Sequence, residues 1–363
     1  MINGTDFREL VSGRKRGFGA WAARTAFAAA EVPYALAVRW RNRGYELGKR
    51  ETVCVDVPVI SVGNLTLGGT GKTPMVEWIA RRLRGRGVRV SLVSRGYGAD
   101  DQGHNDEALE LELALPDVPH VQNPDRVAAA TVAIEELATQ LVVMDDGFQH
   151  RRLGRDLDIV LLDATEPFGF GRVFPRGTLR EPASGLRRAD VVVLSRAEML
   201  EEEGRSQVRQ RVAGLAPRAA WCEAAHRPAC LVNADGERRG FEELAGKRVA
   251  AFCGIGNPAG FRYTLDGLPL EIADWREFPD HHSYTAEEVL GLARGASEAG
   301  AGALVCTRKD LVKIAAADIE GMPVWAVEVR LEVLAGEESL AAAIDGAAER
   351  ALAVDEPGAS AAP

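Results

Sequence analysis

The segment at residues 60–73, ISVGNLTLGGTGKT, constrains the fold of this 363-residue chain more than any other feature. An apolar, β-branched run leads into it, and a helical pattern with Met75, Ile79 and Leu83 on one face follows. A glycine-rich loop between a buried strand and a helix is the setting of a P-loop, whose backbone N–H groups surround phosphate oxygens. The sequence therefore predicts a domain that binds a nucleoside triphosphate.

Each part of this loop has a predicted task. Gly68, Gly69 and Gly71 let backbone N–H groups turn inward. Lys72 would reach the β- and γ-phosphates, and the Thr73 hydroxyl would bind Mg²⁺. The other residues expected to contact the nucleotide are Thr66, Leu67 and Thr70. Thr66 stands where the motif usually has its first glycine, five positions before Gly71.

A second apolar run, at 141–144, ends in two adjacent aspartates, Asp145 and Asp146, before Gly147. A carboxylate at the end of a buried strand is the usual partner of a P-loop, because it helps to hold the metal. Two neighbouring carboxylates repel each other unless a cation is present, which favours a Mg²⁺ site here. We expect at least one of the pair to bind the metal.

The order of the predicted elements indicates an α/β fold with a mostly parallel sheet, because nearly continuous apolar strands alternate with helical stretches. Residues 100–126 read as irregular and acidic, and the pattern resets after Trp221. The predicted regions are a basic amphipathic head at 1–50, a P-loop core at 51–228, a smaller C-terminal α/β domain at 229–350 and a flexible tail at 351–363.

The head differs from the rest of the chain in charge. Residues 1–50 carry ten Lys and Arg against four acids, whereas the whole chain has a net charge of −9. Residues 17–38 are apolar but include charged residues and Pro33, which argues against a transmembrane helix and a secretory signal. The pattern indicates an amphipathic helix with Phe18, Trp21, Ala22, Thr25 and Ala29 on one face. That face could meet an anionic membrane or pack on the protein's own core.

Composition excludes several other classes of protein. The five cysteines are widely spread and form no C-x-x-C pair, which argues against a disulfide framework and a zinc site. The acidic body argues against nucleic-acid binding. A GIG turn at 254–256 lacks the third glycine of a dinucleotide fingerprint, so a tight turn is expected there.

Several longer motifs carry a family resemblance. The strings VGNLTLGGTGKTP, SRGYG, DDGFQHRRLGRDLDIVLLDA, FGFGRVFPRGTLREP, GIGNP and FPDHHSYT occur in this order. Together they resemble the tetraacyldisaccharide 4′-kinase family of lipid A biosynthesis. The resemblance implies transfer of the γ-phosphate of ATP to the 4′-hydroxyl of a tetraacylated glucosamine disaccharide 1-phosphate, at the cytoplasmic face of the inner membrane. It also implies a P-loop core and a smaller domain that closes over the site.

The resemblance also implies roles for individual residues. Asp106 takes the place of the proposed catalytic base and His281 that of its partner, although Asn105 and Ala108 depart from the family's Gly-Asp-Glu-Pro pattern. Glu181 matches a glutamate near the metal. Two further active-site candidates are His150 and Arg180. Because 175 positions separate Asp106 from His281, we expect them to meet only when the two domains approach.

Two alternatives remain at this level. A P-loop protein can be a regulatory switch or metallochaperone-type protein that hydrolyses NTP, but no Asn-Lys-x-Asp guanine-reading motif is present; the nearest string is 307–310. A P-loop ligase for a small carboxylate would not need the apolar, basic head. A lipid disaccharide instead stays in the bilayer, since each buried methylene contributes about 0.8 kcal/mol to anchoring, and the enzyme must come to it.

Overall fold

The computed structural model describes residues 4–96 and 106–354. Its strands, numbered in chain order, are β1 Val59–Asn64, β2 Val90–Ser94, β3 His120–Gln122, β4 Leu141–Asp145, β5 Leu157–Asp163, β6 Val191–Ser195, β7 Ala220–Val232, β8 Arg238–Arg239, β9 Arg248–Cys253, β10 Glu271–Glu277, β11 Leu304–Thr307, β12 Asp318–Ile319 and β13 Met322–Ala335.

The α-helices are α1 Gly4–Val11, α2 Phe18–Glu46, α3 Lys72–Gly85, α4 Asp106–Ala114, α5 Arg126–Leu137, α6 Glu202–Leu215, α7 Pro258–Asp266, α8 Ala286–Glu298, α9 Arg308–Ile314 and α10 Glu337–Val354. Short 3₁₀ helices lie at Gly169–Gly171, Ala183–Arg188, Ala197–Met199 and Phe241–Leu244. The predicted α/β class, the mostly parallel sheet and the N-terminal helix are confirmed.

Contacts divide the described residues into two compact units. The larger contains residues 6–96, 111–225 and 333–354, and the smaller contains 4–5, 106–110 and 226–332. This division is not the linear one predicted. Residues 333–350, assigned from the sequence to the C-terminal domain, belong to the larger unit, where Asp345 of α10 accepts two hydrogen bonds from Arg82 of α3 at 2.8 and 2.9 Å.

In the larger unit the strands follow the order β6-β5-β1-β4-β2-β3, and the residues of β7 up to Ala224 pair with β6. All these pairings are parallel. Strand β1 lies between β5 and β4, where the strand order reverses, and all six of its residues are buried. Ligands bind at such switch points beyond the carboxyl ends of the strands, which is where the predicted phosphate loop follows β1.

The stretch predicted as irregular, at 100–126, contains helix α4 and the short strand β3. Ala108 and Leu111 of α4 are buried, at the i, i+3 spacing of one helix face. Their burial stabilises a helix that the many acidic residues around them concealed.

The smaller unit has its own parallel sheet of β10, β9, β11 and β13. Short antiparallel pairs add β12 to β13 and β8 to the end of β7. Two groups of buried apolar side chains cover this sheet, one around Phe252 and Leu304 and the other around Val249 and Val305. Adjacent residues of one strand lie in different groups because successive side chains point to opposite faces.

Helix α2 has two faces of different character. Val38 is buried, Tyr34 packs against the core of the larger unit, and Glu31 accepts a hydrogen bond from the Val173 N–H at 3.0 Å. The face predicted from Phe18 and Trp21 is exposed. The sequence left a choice between packing and exposure, and the helix does both. None of the helices within the described ranges has the length and apolar character needed to cross a bilayer.

Candidate active site

The phosphate loop is held at its base by another segment of the larger unit. The Arg180 N–H donates to the Leu65 carbonyl at 2.7 Å, and the Leu67 N–H donates to the Thr178 carbonyl at 2.8 Å. Gly71 adopts a left-handed conformation (φ 84°) as the N-cap of α3, and Lys72 is the first residue of that helix. The PRGTLREP motif thus fixes the loop before the helix N-terminus, where phosphate binds readily.

The interior of the loop has room and polar groups for a ligand. A Cβ added to Gly69 would have no heavy atom within 4 Å. Thr70 is buried, and its hydroxyl has no hydrogen-bond partner among the described residues. The loop also borders a small cavity, whose lining includes Thr66, Leu67, Gly68, Gly69 and Thr70. A buried hydroxyl without a partner beside open space fits a site for phosphate oxygens.

Lys72, Asp146 and Arg180 form one charged cluster. The Lys72 Nζ lies 3.5 Å from the Asp146 Oδ1, and the Arg180 guanidinium donates to both Asp146 oxygens at 2.7 and 2.8 Å. Burial would raise the pKa of the Asp146 carboxyl, but the charges of Lys72 and Arg180 outweigh it and hold that pKa well below its usual range. The carboxylate is therefore ionised at neutral pH, and it orients two cations beside the phosphate loop.

The backbone turns sharply after β4. Asp145 is the last residue of the strand and is buried, whereas Asp146 has a positive φ of 52° and is partly exposed. Its N–H donates to the Asp145 Oδ1 at 2.8 Å. A left-handed conformation at a residue other than glycine is a strain that is common at functional sites. The two carboxylates have different partners here: Asp145 accepts the Asp146 N–H, and Asp146 binds Lys72 and Arg180.

The residues predicted to bind Mg²⁺ fit that ion in part. A hydroxyl on Thr73 and a carboxylate on Asp145 are oxygen donors of the kind Mg²⁺ takes, both next to the loop. Within the described residues, no three His, Cys, Asp or Glu side chains are grouped for a metal. Mg²⁺ commonly takes one or two protein oxygens and completes its coordination shell with phosphate and water.

Glu181, the remaining residue predicted to bind the metal, is surrounded by hydrogen-bond donors. Its side chain is fully buried, and the Arg188 guanidinium donates to both of its oxygens at 2.8 and 3.0 Å. Asn42 of α2 donates to Oε2 at 2.8 Å, and Gln149 donates to Oε1 at 3.1 Å. Each oxygen already accepts two hydrogen bonds. The predicted contact with the metal would require Glu181 to lose some of these donors.

His150 lies among cations. Burial, and then the charges of Arg126 and Arg155, lower the pKa of the His150 imidazole to about 4, so the ring is neutral at pH 7. Arg126, at the start of α5, is 4% exposed, and its Nε has no hydrogen-bond partner among the described residues. Arg126 also interacts with the charge of Asp146, and a guanidinium placed there can bind phosphate oxygens.

Four residues around this site were missed in the sequence: Asn42, Arg126, Gln149 and Arg188. Gln149 lies inside the DDGFQH string and could have been found there. No motif named above includes Asn42 or Arg188, and their partner Glu181 is 139 positions from Asn42. Only the fold brings them together.

The predicted base and its partner belong to the smaller unit. Asp106 is the first residue of α4, and His281 has a positive φ of 59° in the loop before α8. Farther along α4, the Glu110 carbonyl accepts a hydrogen bond from Arg308 at 3.4 Å, and the Lys309 Nζ lies 3.2 Å from the His281 Nε2. Both predicted residues are thus in one unit, which corrects the expectation that they meet only when two domains approach.

Two glycines near the loop should respond differently to alanine. At Gly63 a Cβ would lie 2.5 Å from the Phe148 Cβ, so Gly63→Ala should lower the free energy of unfolding by about 1–3 kcal/mol. Gly69→Ala should leave stability unchanged but weaken nucleotide binding, because its methyl would take up space for phosphate. Denaturant unfolding and titration calorimetry with ATP measure the two effects. Equal losses of stability in both variants would contradict the open loop.

Comparison with known proteins extends these findings. Residues 23–349 match the family model described as tetraacyldisaccharide-1-P 4′-kinase. A tetraacyldisaccharide 4′-kinase of Anaeromyxobacter sp. (strain K) is 42% identical over 339 residues, covering 88% of this chain and 89% of that protein. The corresponding Geobacter sulfurreducens protein is 38% identical, covering 90% and 95%. The crystal structure of LpxK from Aquifex aeolicus in complex with ATP has a TM-score of 0.71 and 29% identity, over 90% of this chain and 99% of that one.

Proposed function

The chain belongs to the tetraacyldisaccharide-1-P 4′-kinase family, and we propose that it transfers the γ-phosphate of ATP to the 4′-hydroxyl of a tetraacylated glucosamine disaccharide 1-phosphate. The charged cluster on the phosphate loop is the observation that carries this proposal. Asp146 binds both Lys72 and Arg180 and so keeps two positive charges beside the phosphate loop. Cations in this position can neutralise the charge on a transferring phosphoryl group. The protein is thus an ATP-dependent phosphotransferase with an alcohol acceptor.

The reaction forms one bond and breaks one. The oxygen of the sugar hydroxyl bonds to the γ-phosphorus, and the bond from that phosphorus to the bridging oxygen of ADP breaks. The hydroxyl proton goes to a base. We propose Asp106 as that base, with His281 orienting it, because both match the family's motif and both lie in the smaller unit.

Mg²⁺ is the proposed cofactor besides ATP. Thr73 and Asp145 would hold it, with Asp146 as the other candidate carboxylate. When bound, the ion neutralises phosphate charge and orients the triphosphate. Asp146 already binds Lys72 and Arg180, so metal binding by Asp146 would compete with those two contacts.

A phosphate-transfer assay tests the proposed reaction against the alternative of a P-loop switch. Incubation with [γ-³²P]ATP and a tetraacylated disaccharide 1-phosphate in detergent micelles should move the label to the lipid. Release of inorganic phosphate without lipid labelling would support a hydrolysing switch instead. The family match over residues 23–349 favours the kinase.

The exposed face of α2 supports a membrane surface as a partner. Five large apolar side chains on this helix are 57–82% exposed: Phe18, Trp21, Val32, Leu36 and Trp40. At 100° per residue they fall within about 100° of one another around the helix axis. Arg39 and Arg43, also exposed, lie along the same side. A stripe of this kind enters the interface of a bilayer, and its cations meet anionic lipid phosphates.

We therefore propose peripheral binding to the cytoplasmic face of the inner membrane, with the head at 1–50 as the docking element. The substrate gives the physical reason. A disaccharide with four acyl chains remains in the bilayer, so an enzyme on the membrane surface reaches it without extracting it.

Removing the two tryptophans of this stripe should weaken membrane binding. In a Trp21→Ser/Trp40→Ser variant, sedimentation with vesicles containing anionic phospholipid should show an affinity about 10- to 100-fold lower, because large apolar side chains no longer enter the interface. Tyr263→Ser, which removes an aromatic residue of similar exposure from the smaller unit, is the matched control. Unchanged sedimentation of the double variant would remove α2 from the docking surface.

A further inference from the structure

Asp310 is a fully buried carboxylate in the smaller unit, near the start of α9. Three donors surround it: the Gly254 N–H at 3.0 Å, the Tyr284 hydroxyl at 2.9 Å and the Thr307 hydroxyl at 2.6 Å. A buried carboxylate is costly to desolvate unless it is well hydrogen-bonded. Here the hydrogen bonds come from three separate segments of the chain, so the carboxylate links them.

Those segments form the support of the loop that carries His281. The Phe278 N–H donates to the Cys253 carbonyl at 2.8 Å, and the His281 N–H donates to the Gly254 carbonyl at 3.2 Å. At the far end of the loop, Tyr284 reaches back to Asp310. The loop is thus attached to the end of β9 at its start and at His281, and to Asp310 of α9 at Tyr284.

Gly254 shows how closely the parts fit. A Cβ at this position would lie 3.1 Å from the Tyr284 hydroxyl and 3.2 Å from the Asp310 Oδ1. Glycine therefore lets the carboxylate and the tyrosine approach the backbone that receives the His281 N–H. This is a packing reason for the first glycine of the GIGNP string.

The same turn of α9 also contacts the histidine ring. Lys309, the neighbour of Asp310, places its Nζ 3.2 Å from the His281 Nε2 and 3.7 Å from an Asp280 oxygen. Asp310 therefore binds the Tyr284 hydroxyl of the loop and the Gly254 N–H next to β9, while Lys309 contacts the His281 imidazole. His281 itself has a left-handed backbone conformation, which persists only when its surroundings fix it.

We propose that Asp310 is a positioning residue for His281, acting through its hydrogen bonds to Tyr284 and Gly254. The proposal rests on the proposed function, in which His281 orients the base. Asp310 does not touch substrate; it fixes where the imidazole lies. A displacement of about 1 Å in a group that must align reacting atoms can cost about 100-fold in rate.

Three variants test this inference. Tyr284→Phe removes one hydroxyl and keeps the ring, and Asp310→Ala removes the acceptor. Asp310→Asn is the matched control, since its amide oxygen can still accept from Gly254 and Tyr284. In the lipid-phosphorylation assay, Tyr284→Phe and Asp310→Ala should lower kcat about 10- to 100-fold with KM for ATP unchanged, and Asp310→Asn should stay within about threefold of the unaltered protein.

The histidine ring gives a readout that a merely structural role would not move. In the full chain with labelled histidine, the imidazole signal of His281, assigned by its loss in His281→Gln, should shift in Tyr284→Phe and not in Asp310→Asn. An unshifted signal in Tyr284→Phe, or an equal loss of kcat in Asp310→Asn, would overturn the proposal. Full turnover of His281→Gln would instead contradict the role of His281, while the ring signal would still report whether Asp310 positions it.

Discussion

Lys72→Ala should lower kcat/KM for ATP by about 1,000-fold, the largest effect we expect from one substitution in the phosphate loop. The side chain is 10% exposed and opens α3 beside Asp146. It would contact phosphate both before and during transfer, so its loss should weaken ATP binding and also slow turnover. Titration calorimetry and steady-state kinetics on the lipid substrate measure the two parts.

Two further variants make the Lys72 result specific. Lys72→Arg keeps the charge but replaces a compact ammonium by a longer, planar group, and it should recover little activity. Lys247→Ala removes an exposed lysine of the smaller unit that pairs with Glu243, and it should change nothing. If Lys72→Ala retained ATP affinity and turnover, the loop at 66–73 would not be the triphosphate site.

Asp106→Asn should lower kcat by about 100- to 10,000-fold and leave ATP affinity close to that of the unaltered protein. An amide keeps the size of the carboxylate but cannot accept the hydroxyl proton as the new O–P bond forms. Rapid-quench measurement of a single turnover isolates the chemical step from product release.

Glu112→Gln is the control for Asp106→Asn, since it neutralises an exposed acid on the same helix. It should have normal kinetics. A normal single-turnover rate for Asp106→Asn would exclude Asp106 as the base, and a parallel fall in ATP affinity would indicate a role in nucleotide binding instead.

The parts of this site that are formed by consecutive residues could be predicted from short stretches of sequence. The phosphate loop and the aspartates after β4 could be predicted because a buried strand, a tight turn and a helix start each leave a pattern over a few residues. Even helix α4 left such a pattern in Ala108 and Leu111, which the surrounding acids obscured.

The environment of Glu181 could not be predicted in this way. The glutamate was recognised from a motif, but its donors Asn42 and Arg188 come from different elements, and the sequence left open whether the helix that carries Asn42 packs on the core. The sequence shows that a carboxylate is present, but only the three-dimensional structure shows which donors already hydrogen-bond to it. The same holds for Asp310, whose three donors are spread from position 254 to position 307.

Helix α2 carries an outward stripe on one side and bonds to the interior on the other, with Tyr34 donating to the Arg180 carbonyl at 3.1 Å and Asn42 donating to Glu181. A shortened protein made to improve handling in water, for instance one beginning at residue 39, would lose Glu31 and Tyr34 along with four of the five apolar residues of the stripe. Loss of activity in such a protein could then come from the missing hydrogen bonds of Glu31 and Tyr34 as well as from weaker membrane binding. A more soluble variant should therefore be made by substituting polar residues for the exposed apolar side chains of α2, with the full helix retained.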